Sequence, residues 1–297
     1  MAGLSPRFTT SRMPSSNHSR SDGSVARLYG WRGGESRGVA RVVRAHGDYY
    51  HIVCDEAGGE TIARKKKSAF LGEDAVSPVT GDFVRYVYNP HGDSMITAVL
   101  PRRSLFERKD PSARRKSQVL AVNFDSLFVM MSMNEDFSVE RIERYLDLAA
   151  SCGDAEIVVV ITKMDLFEEG DEERIAELKE AIGSRAGLAA ISSLTGEGLA
   201  SLAHHFLPGR TVALVGSSGV GKSTFLNTLA GDEIAATQDV QEWSGKGRHT
   251  TTSRTLFMLK SGAMVVDTPG VREIGRLGEE ERFAVRGEST HRWRRKE

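Results

Sequence analysis

The feature that most constrains the fold is the run Gly216-Ser217-Ser218-Gly219-Val220-Gly221-Lys222-Ser223. It fills the pattern G-x-x-x-x-G-K-[ST] and stands between an apolar run, TVALV, and a helical one, FLNTLAG. The pattern demands a strand, a tight loop and a helix, in that order. Its glycines let backbone N–H groups close around phosphate oxygens, and the helix N-terminus adds positive potential at the same point. In this reading Lys222 reaches the β- and γ-phosphates, the Ser223 hydroxyl holds Mg²⁺, and Thr224 completes the binding run. Such a loop needs a buried sheet beneath it, so the chain must build an α/β domain.

The second half of the chain meets that demand. DSLFVMMSM, EIVVVITK, LAAISS, TVALVGS and two segments of TLFMLKSGAMVVDTPG read as buried strands. SVERIERYLDLAASCG, capped by Ser138, DEERIAELKEAIG, GEGLASLAHHF and GKSTFLNTLAG read as helices between them. This alternation predicts a largely parallel sheet with ligands at the carboxyl ends of its strands. Residues 26–100 have another texture. GVARVVRA, YYHIVC, ETIARK, DFVRYVY and SMITAVL are short strands broken by turn signals, which predicts a small all-β barrel of the OB-fold type. Residues 101–117, PRRSLFERKDPSARRKS, read as a basic linker. The expected division is a disordered basic arm over 1–25, an OB-like RNA-binding domain over 26–105, an α/β domain over 106–276, and a short tail over 277–297.

Charge supports a division of labour. Residues 1–116 carry 20 Lys+Arg and 12 Asp+Glu, a net of 20 − 12 = +8, and residues 117–297 carry 20 − 28 = −8. A basic first part suggests a module that meets a polyanion. Tyr49, Tyr50, Phe83, Tyr86 and Tyr88 stand among Arg41, Arg44, Arg64, Lys65, Lys66, Lys67 and Arg85. They can supply base stacking and phosphate contact, although barrel core claims aromatics equally well. No apolar run is long enough to span a membrane. Cys54 and Cys152 make neither a disulfide framework nor a metal spacing, which points to the cytosol.

Four further motifs belong with the phosphate loop. Asp267-Thr268-Pro269-Gly270 follows an apolar strand, where an Asp acts on Mg²⁺ and a Gly N–H meets the γ-phosphate. Arg248-His249-Thr250-Thr251-Thr252 lies in a polar, Gly-rich stretch; Thr251 is the first choice among its threonines for the magnesium shell. Thr162-Lys163-Met164-Asp165 matches a guanine-recognition pattern. There Asp165 accepts from the guanine N1–H and 2-amino group, the Lys163 stem lies over the base, and Thr162 ties loops together. A helix N-cap is the competing explanation of Asp165. Ser192-Ser193-Leu194 resembles the loop whose backbone donates to guanine O6. His204 and His205 read as surface or packing residues.

The order is the unusual part. A guanine motif normally follows the phosphate loop, the threonine and the Asp-x-x-Gly. Here it precedes them, and the whole list is rotated without being shuffled. Circular permutation preserves a fold whose old termini lie close together. On ITKMDL, ISSLTGEGL, GSSGVGKST, GRHTTT and VVDTPGVRE, with the barrel before them, the chain resembles the RsgA (YjeQ) family of circularly permuted GTPases over about residues 30–275. The resemblance implies GTP as substrate, Mg²⁺ held by Ser223, Thr251 and Asp267, and hydrolysis stimulated by the small ribosomal subunit during its late maturation. It also implies rRNA contact by the barrel, a cytoplasmic location and a monomer. Lys222, His249 and Thr251 are then the expected catalytic residues. His249 would place water, because Val271, after the Gly, cannot. The family also implies a C-terminal zinc domain with three cysteines and a histidine. The residues after Gly270 contain no cysteine, and His291 alone cannot hold zinc, so this domain is expected to be absent. Alternatives are a GTP-dependent assembly checkpoint with little turnover, an adenine nucleotide enzyme with an accidental TKMD, and an RNA-binding module with a dead nucleotide site.

Overall fold

The computed structural model describes residues 24–71, 76–108, 117–134, 137–230 and 254–268. A short helix, α1 (Val25–Leu28), opens the described chain, with the Ser24 side chain accepting from the Arg27 N–H. Ser24 and Val25, expected in the disordered arm, are therefore ordered; residues 1–23 lie outside the described residues.

Five strands follow as expected: β1 (Val39–His46), β2 (Tyr49–Cys54), β3 (Gly59–Lys65), β4 (Phe83–Val87) and β5 (Ser94–Val99). β1 pairs antiparallel with β2 and with β4, β2 with β3 and β4 with β5, while β3 and β5 run parallel. The ring closes, so the small barrel has no free edge among these pairings. Its interior holds Val42, Ile52, Ala63, Val84 and Ile96 together with Tyr50 and Tyr86. Phe83 is also buried, against Trp31 and Ala26. Of the five aromatics weighed for base stacking, three are thus core. Tyr49 faces outward, with the Arg64 guanidinium 4.2 Å from its ring.

The α/β part contains β8 (Ser126–Ser132), α2 (Val139–Ala149), β9 (Glu156–Thr162), α3 (Asp171–Ile182), β10 (Gly187–Ala190), β11 (Thr211–Gly216), α4 (Lys222–Ala230), β12 (Thr255–Met258) and β13 (Met264–Asp267). Parallel strands run in the order β10-β9-β8-β11-β13, with β12 antiparallel beside β13. Every residue of β8 and β11 is buried, which explains their continuous apolar runs. Alternate residues of these strands enter opposite cores. Leu127, Val129 and Met131 face the α2–α3 layer, and Phe128 and Met130 face α4. The phosphate-loop strand β11 thus lies inside a sheet whose chain entered at β8, three strands earlier: a circularly permuted order. The stretch that closes the circle is short. It is a 3₁₀ helix, Leu199–Phe206, where the sequence predicted an α-helix, followed by a turn at Gly209.

Residues 101–117 are not merely a linker. β6 (Leu105–Arg108) pairs antiparallel with β7 (Gln118–Val122). Phe106 is fully buried in the α2–α3 core, which rewards strand formation despite the basic flanks. The barrel also joins the larger sheet directly, through Arg44 of β1 opposite Thr255 of β12.

Candidate guanine-nucleotide site at the carboxyl ends of the strands

The loops after β9, β10, β11 and β13 all emerge at one end of the sheet, so the separate motifs converge there. The phosphate loop begins at the end of β11. Gly216 has φ +155, and a Cβ there would stand 2.6 Å from the Met130 carbonyl, so no side chain fits. Gly219 and Gly221 adopt φ +81 and +94, left-handed conformations that glycine reaches without strain. Lys222 opens α4, and its ammonium donates to Gly216 O at 2.8 Å and Ser217 O at 2.7 Å. Burial pulls this lysine below its ordinary pKa, while Asp267, at the end of β13, pulls it back up. Ser223 and Thr224 are exposed, Ser217 is half-buried, and Ser218 and Gly219 are exposed at the loop tip. Val220 anchors the loop from beneath, 1% exposed.

The guanine motif is bolted to this loop. Thr162 ends β9, is 2% exposed, and donates its hydroxyl to the Val220 carbonyl at 2.6 Å and to Met131 O at 3.3 Å. Lys163 then takes φ +60, and Met164–Leu166 form a 3₁₀ turn. A non-glycine residue in that region costs on the order of 1 kcal/mol, a strain often stored at ligand sites. Met164 packs its side chain against the α2–α3 core and donates its N–H to Ile191 O. Asp165 is exposed, and its Oδ1 accepts from the buried Ser192 hydroxyl at 2.5 Å. It is not a helix cap: Gly170 stands at the N-cap of α3. Ser192 N–H also closes on Glu197 O, which fixes the loop after β10. Ser193 offers its carbonyl to Thr228 of α4, and Leu194 projects into solvent, 79% exposed.

Two contributions escaped the sequence reading. Ser192 was singled out for its backbone, yet its hydroxyl orients Asp165; the matched loop pattern carried that signal. Thr268 was passed over inside Asp-Thr-Pro-Gly, yet it is 1% exposed and donates to Leu214 O at 2.7 Å, tying the end of β13 to β11. His249, Thr250, Thr251, Thr252 and Gly270 lie outside the described residues, as does the tail with His291.

The donor set fits a magnesium–nucleotide polyphosphate. A glycine cradle, a desolvated ammonium and a helix start offer positive potential to phosphates. The Ser223 hydroxyl and the Asp267 carboxylate are oxygen donors of the kind Mg²⁺ takes. Asp165 is an exposed carboxylate held by a neighbouring hydroxyl.

Comparison with known proteins agrees with this geometry. The sequence model of the RsgA GTPase family matches residues 99–277. A small ribosomal subunit biogenesis GTPase RsgA 2 of Lactiplantibacillus plantarum is 38% identical over 80% of this chain and 66% of its own length. One from Syntrophotalea carbinolica is 39% identical over 82% of this chain and 67% of its own length. Several other curated relatives are matched over 65% of their length, so the chain spans a little under two thirds of them. The crystal structure of YjeQ from Thermotoga maritima superposes with a TM-score of 0.56 at 27% identity, over 78% of this chain and 74% of that one. YloQ, a circularly permuted GTPase, shares the fold with a TM-score of 0.52 at 22% identity, over 81% of this chain and 74% of its own. Motif order, strand order and family match coincide: the chain belongs to the RsgA GTPase family.

Proposed function

We propose that the chain binds GTP with Mg²⁺ and hydrolyses it during late maturation of the small ribosomal subunit, which stimulates turnover. The observation that carries this reading is the Thr162–Val220 hydrogen bond of 2.6 Å. It fixes the guanine motif against the phosphate loop, so that one nucleotide can engage both ends of the site. Asp165 selects guanine. Lys163 and Met164 frame the base with Ser192, Ser193 and Leu194, and residues 216–224 hold the phosphates. Ser223, Asp267 and Thr251 would hold magnesium, which would supply charge neutralisation for phosphoryl transfer. Lys222 supplies fixed charge beside it, Gly270 meets the γ-phosphate, and His249 orients the attacking water. The names of the curated relatives support the small subunit as partner, and the basic first part supports rRNA contact by the barrel. The working division is a barrel unit over 26–105 and a GTPase unit over 106–276, acting as a monomer in the cytoplasm. Among the described residues no helix is long and apolar enough to cross a membrane.

The test is GTP turnover with and without purified small subunits, with ATP as competitor. Turnover that rises with subunits and resists ATP supports the reading. An unchanged rate removes the ribosomal role, and equal competition by ATP removes the guanine assignment. His249→Ala with an unaltered stimulated rate would take His249 out of the mechanism.

A further inference from the structure

The sheet has a second polar cluster, at the end away from the nucleotide loops. Glu156 is the first residue of β9, and Thr162 is the last. At ~3.3 Å per residue the two ends lie about 20 Å apart. His204 and His205 approach Glu156 from the 3₁₀ helix that closes the permuted circle. His204 Nε2 lies 3.9 Å from Glu156 Oε1, and His205 Nδ1 lies 3.5 Å from Oε2. One ligand atom from each of the three residues falls within 4.8 Å of the others.

These separations are informative. A hydrogen-bonded nitrogen and oxygen stand about 2.7–3.2 Å apart. Atoms that share a tetrahedral zinc ion, each ~2.0–2.2 Å from it, stand about 3.3–3.6 Å apart. The Glu156–His205 gap of 3.5 Å fits two ligands around an ion as well as it fits an ion pair, and the Glu156–His204 gap, at 3.9 Å, is wider and lies between two exposed side chains. Arg210 Nη2 is 3.7 Å from the same Oε2, also beyond hydrogen-bond reach. Ser126 Oγ lies 2.9 Å from His205 Nδ1. Its hydroxyl can donate to the ring in the absence of an ion and rotate away, or add a weak oxygen ligand, in its presence. The site is anchored on one side and open on the other: His205 is 2% exposed, whereas the His204 and Glu156 side chains are 58% and 50% exposed.

We propose that Glu156, His204 and His205 form a binding site for a divalent cation of the zinc class, separate from the magnesium–nucleotide site. Two imidazoles and a carboxylate suit zinc or cobalt better than magnesium, which prefers oxygen ligands. With three protein ligands, water fills the fourth position. The ion would clasp the start of β9 to the segment that leads into β11.

The test uses the whole chain, stripped with chelator and saturated with Mg²⁺–GDP, and titrated with cobalt chloride. Binding is read from the visible absorption of cobalt and from its displacement by zinc chloride. The expected result is a single strong site that zinc empties stoichiometrically, weakened at least about tenfold by His204→Ala and by Glu156→Gln. Both side chains are largely exposed, so both variants keep the fold, and GDP affinity and thermal unfolding of the metal-free forms verify it. Absence of cobalt absorption up to millimolar metal overturns the proposal. So does binding that neither substitution weakens.

Discussion

Lys163 and Asn123 are the two non-glycine residues with positive φ among the described ones, at 60° and 52°, and they sit at opposite ends of one sheet. Lys163 follows β9, at the nucleotide end. Asn123 precedes β8, where the sheet meets the barrel. Around Asn123 the strained backbone and the buried side chains bind other parts of the chain. Its amide donates to Gly81 O at 3.1 Å and accepts from Arg103 N–H at 3.0 Å, and its carbonyl accepts from Arg41 at 3.1 Å. Arg41 is fully buried, stacks over Phe83 and also donates to Tyr29 O; burial pulls its pKa down to about 9. Asp82, equally buried, takes two hydrogen bonds from Arg102 at 2.8 Å, and Asp125 meets Arg32, Arg103 and the Thr211 N–H. Around Lys163 the arrangement is the reverse. Hydroxyls of Thr162 and Ser192 hold the loops in shape, while Asp165, Ser223 and Thr224 stay exposed. One end uses its polar groups to join the barrel to the larger sheet; the other leaves Asp165, Ser223 and Thr224 open to solvent.

Substitutions at the two ends should therefore separate stability from nucleotide affinity. The largest effect is expected from Asp82→Ala, which strips a buried partner from Arg102 and should cost about 3–5 kcal/mol in urea unfolding. A loss within the range of an ordinary surface change would mean that the barrel junction is not held by its charges. Asp165→Asn should weaken GTP by about 2–3 kcal/mol, up to roughly a hundredfold, and shift preference toward xanthine nucleotides. Its unfolding midpoint should hardly move; a large drop in stability would blur the contrast between the ends. Asn123→Gly relieves the backbone but forfeits the amide bridge, for a net loss of about 1–2 kcal/mol by denaturation. Lys163→Gly should show the smallest stability change and the opposite sign, a gain below about 1 kcal/mol, alongside poorer GTP binding in a titration. If both glycine variants destabilise alike, the strain at Lys163 serves the fold and not the ligand.

Much of the nucleotide end was legible beforehand because its residues carry their reasons locally. The glycines of the phosphate loop adopt positive φ, the strand, loop and helix around Lys222 follow the spacing of its motif, and Asp165 lies in the exposed turn after β9. The same holds for the five barrel strands, whose alternation and turns are local signals. The barrel junction was not legible. Arg41 was grouped with residues that can meet RNA, since nothing near it in sequence says that Phe83, Asn123 and Tyr29 will enclose it. Phe106 was lost in a basic stretch for a similar reason: its burial depends on α2 and β8, which lie farther along the chain.

The sequence by itself determined the chemistry and the rotated order of the motifs, because both are written in short runs whose spacing and backbone demands are local. Tertiary structure decided what those runs share. Parallel strands carry their following loops to one end, so Thr162 reaches Val220 and Ser192 reaches Asp165 across long stretches of chain. The same geometry sends the strand beginnings to the other end, where Arg41, Asp82 and Asp125 become buried and Glu156 meets two histidines. A charge in the sequence carries no mark of which end it will occupy; burial and the partners that the fold delivers assign it to a ligand or to the architecture.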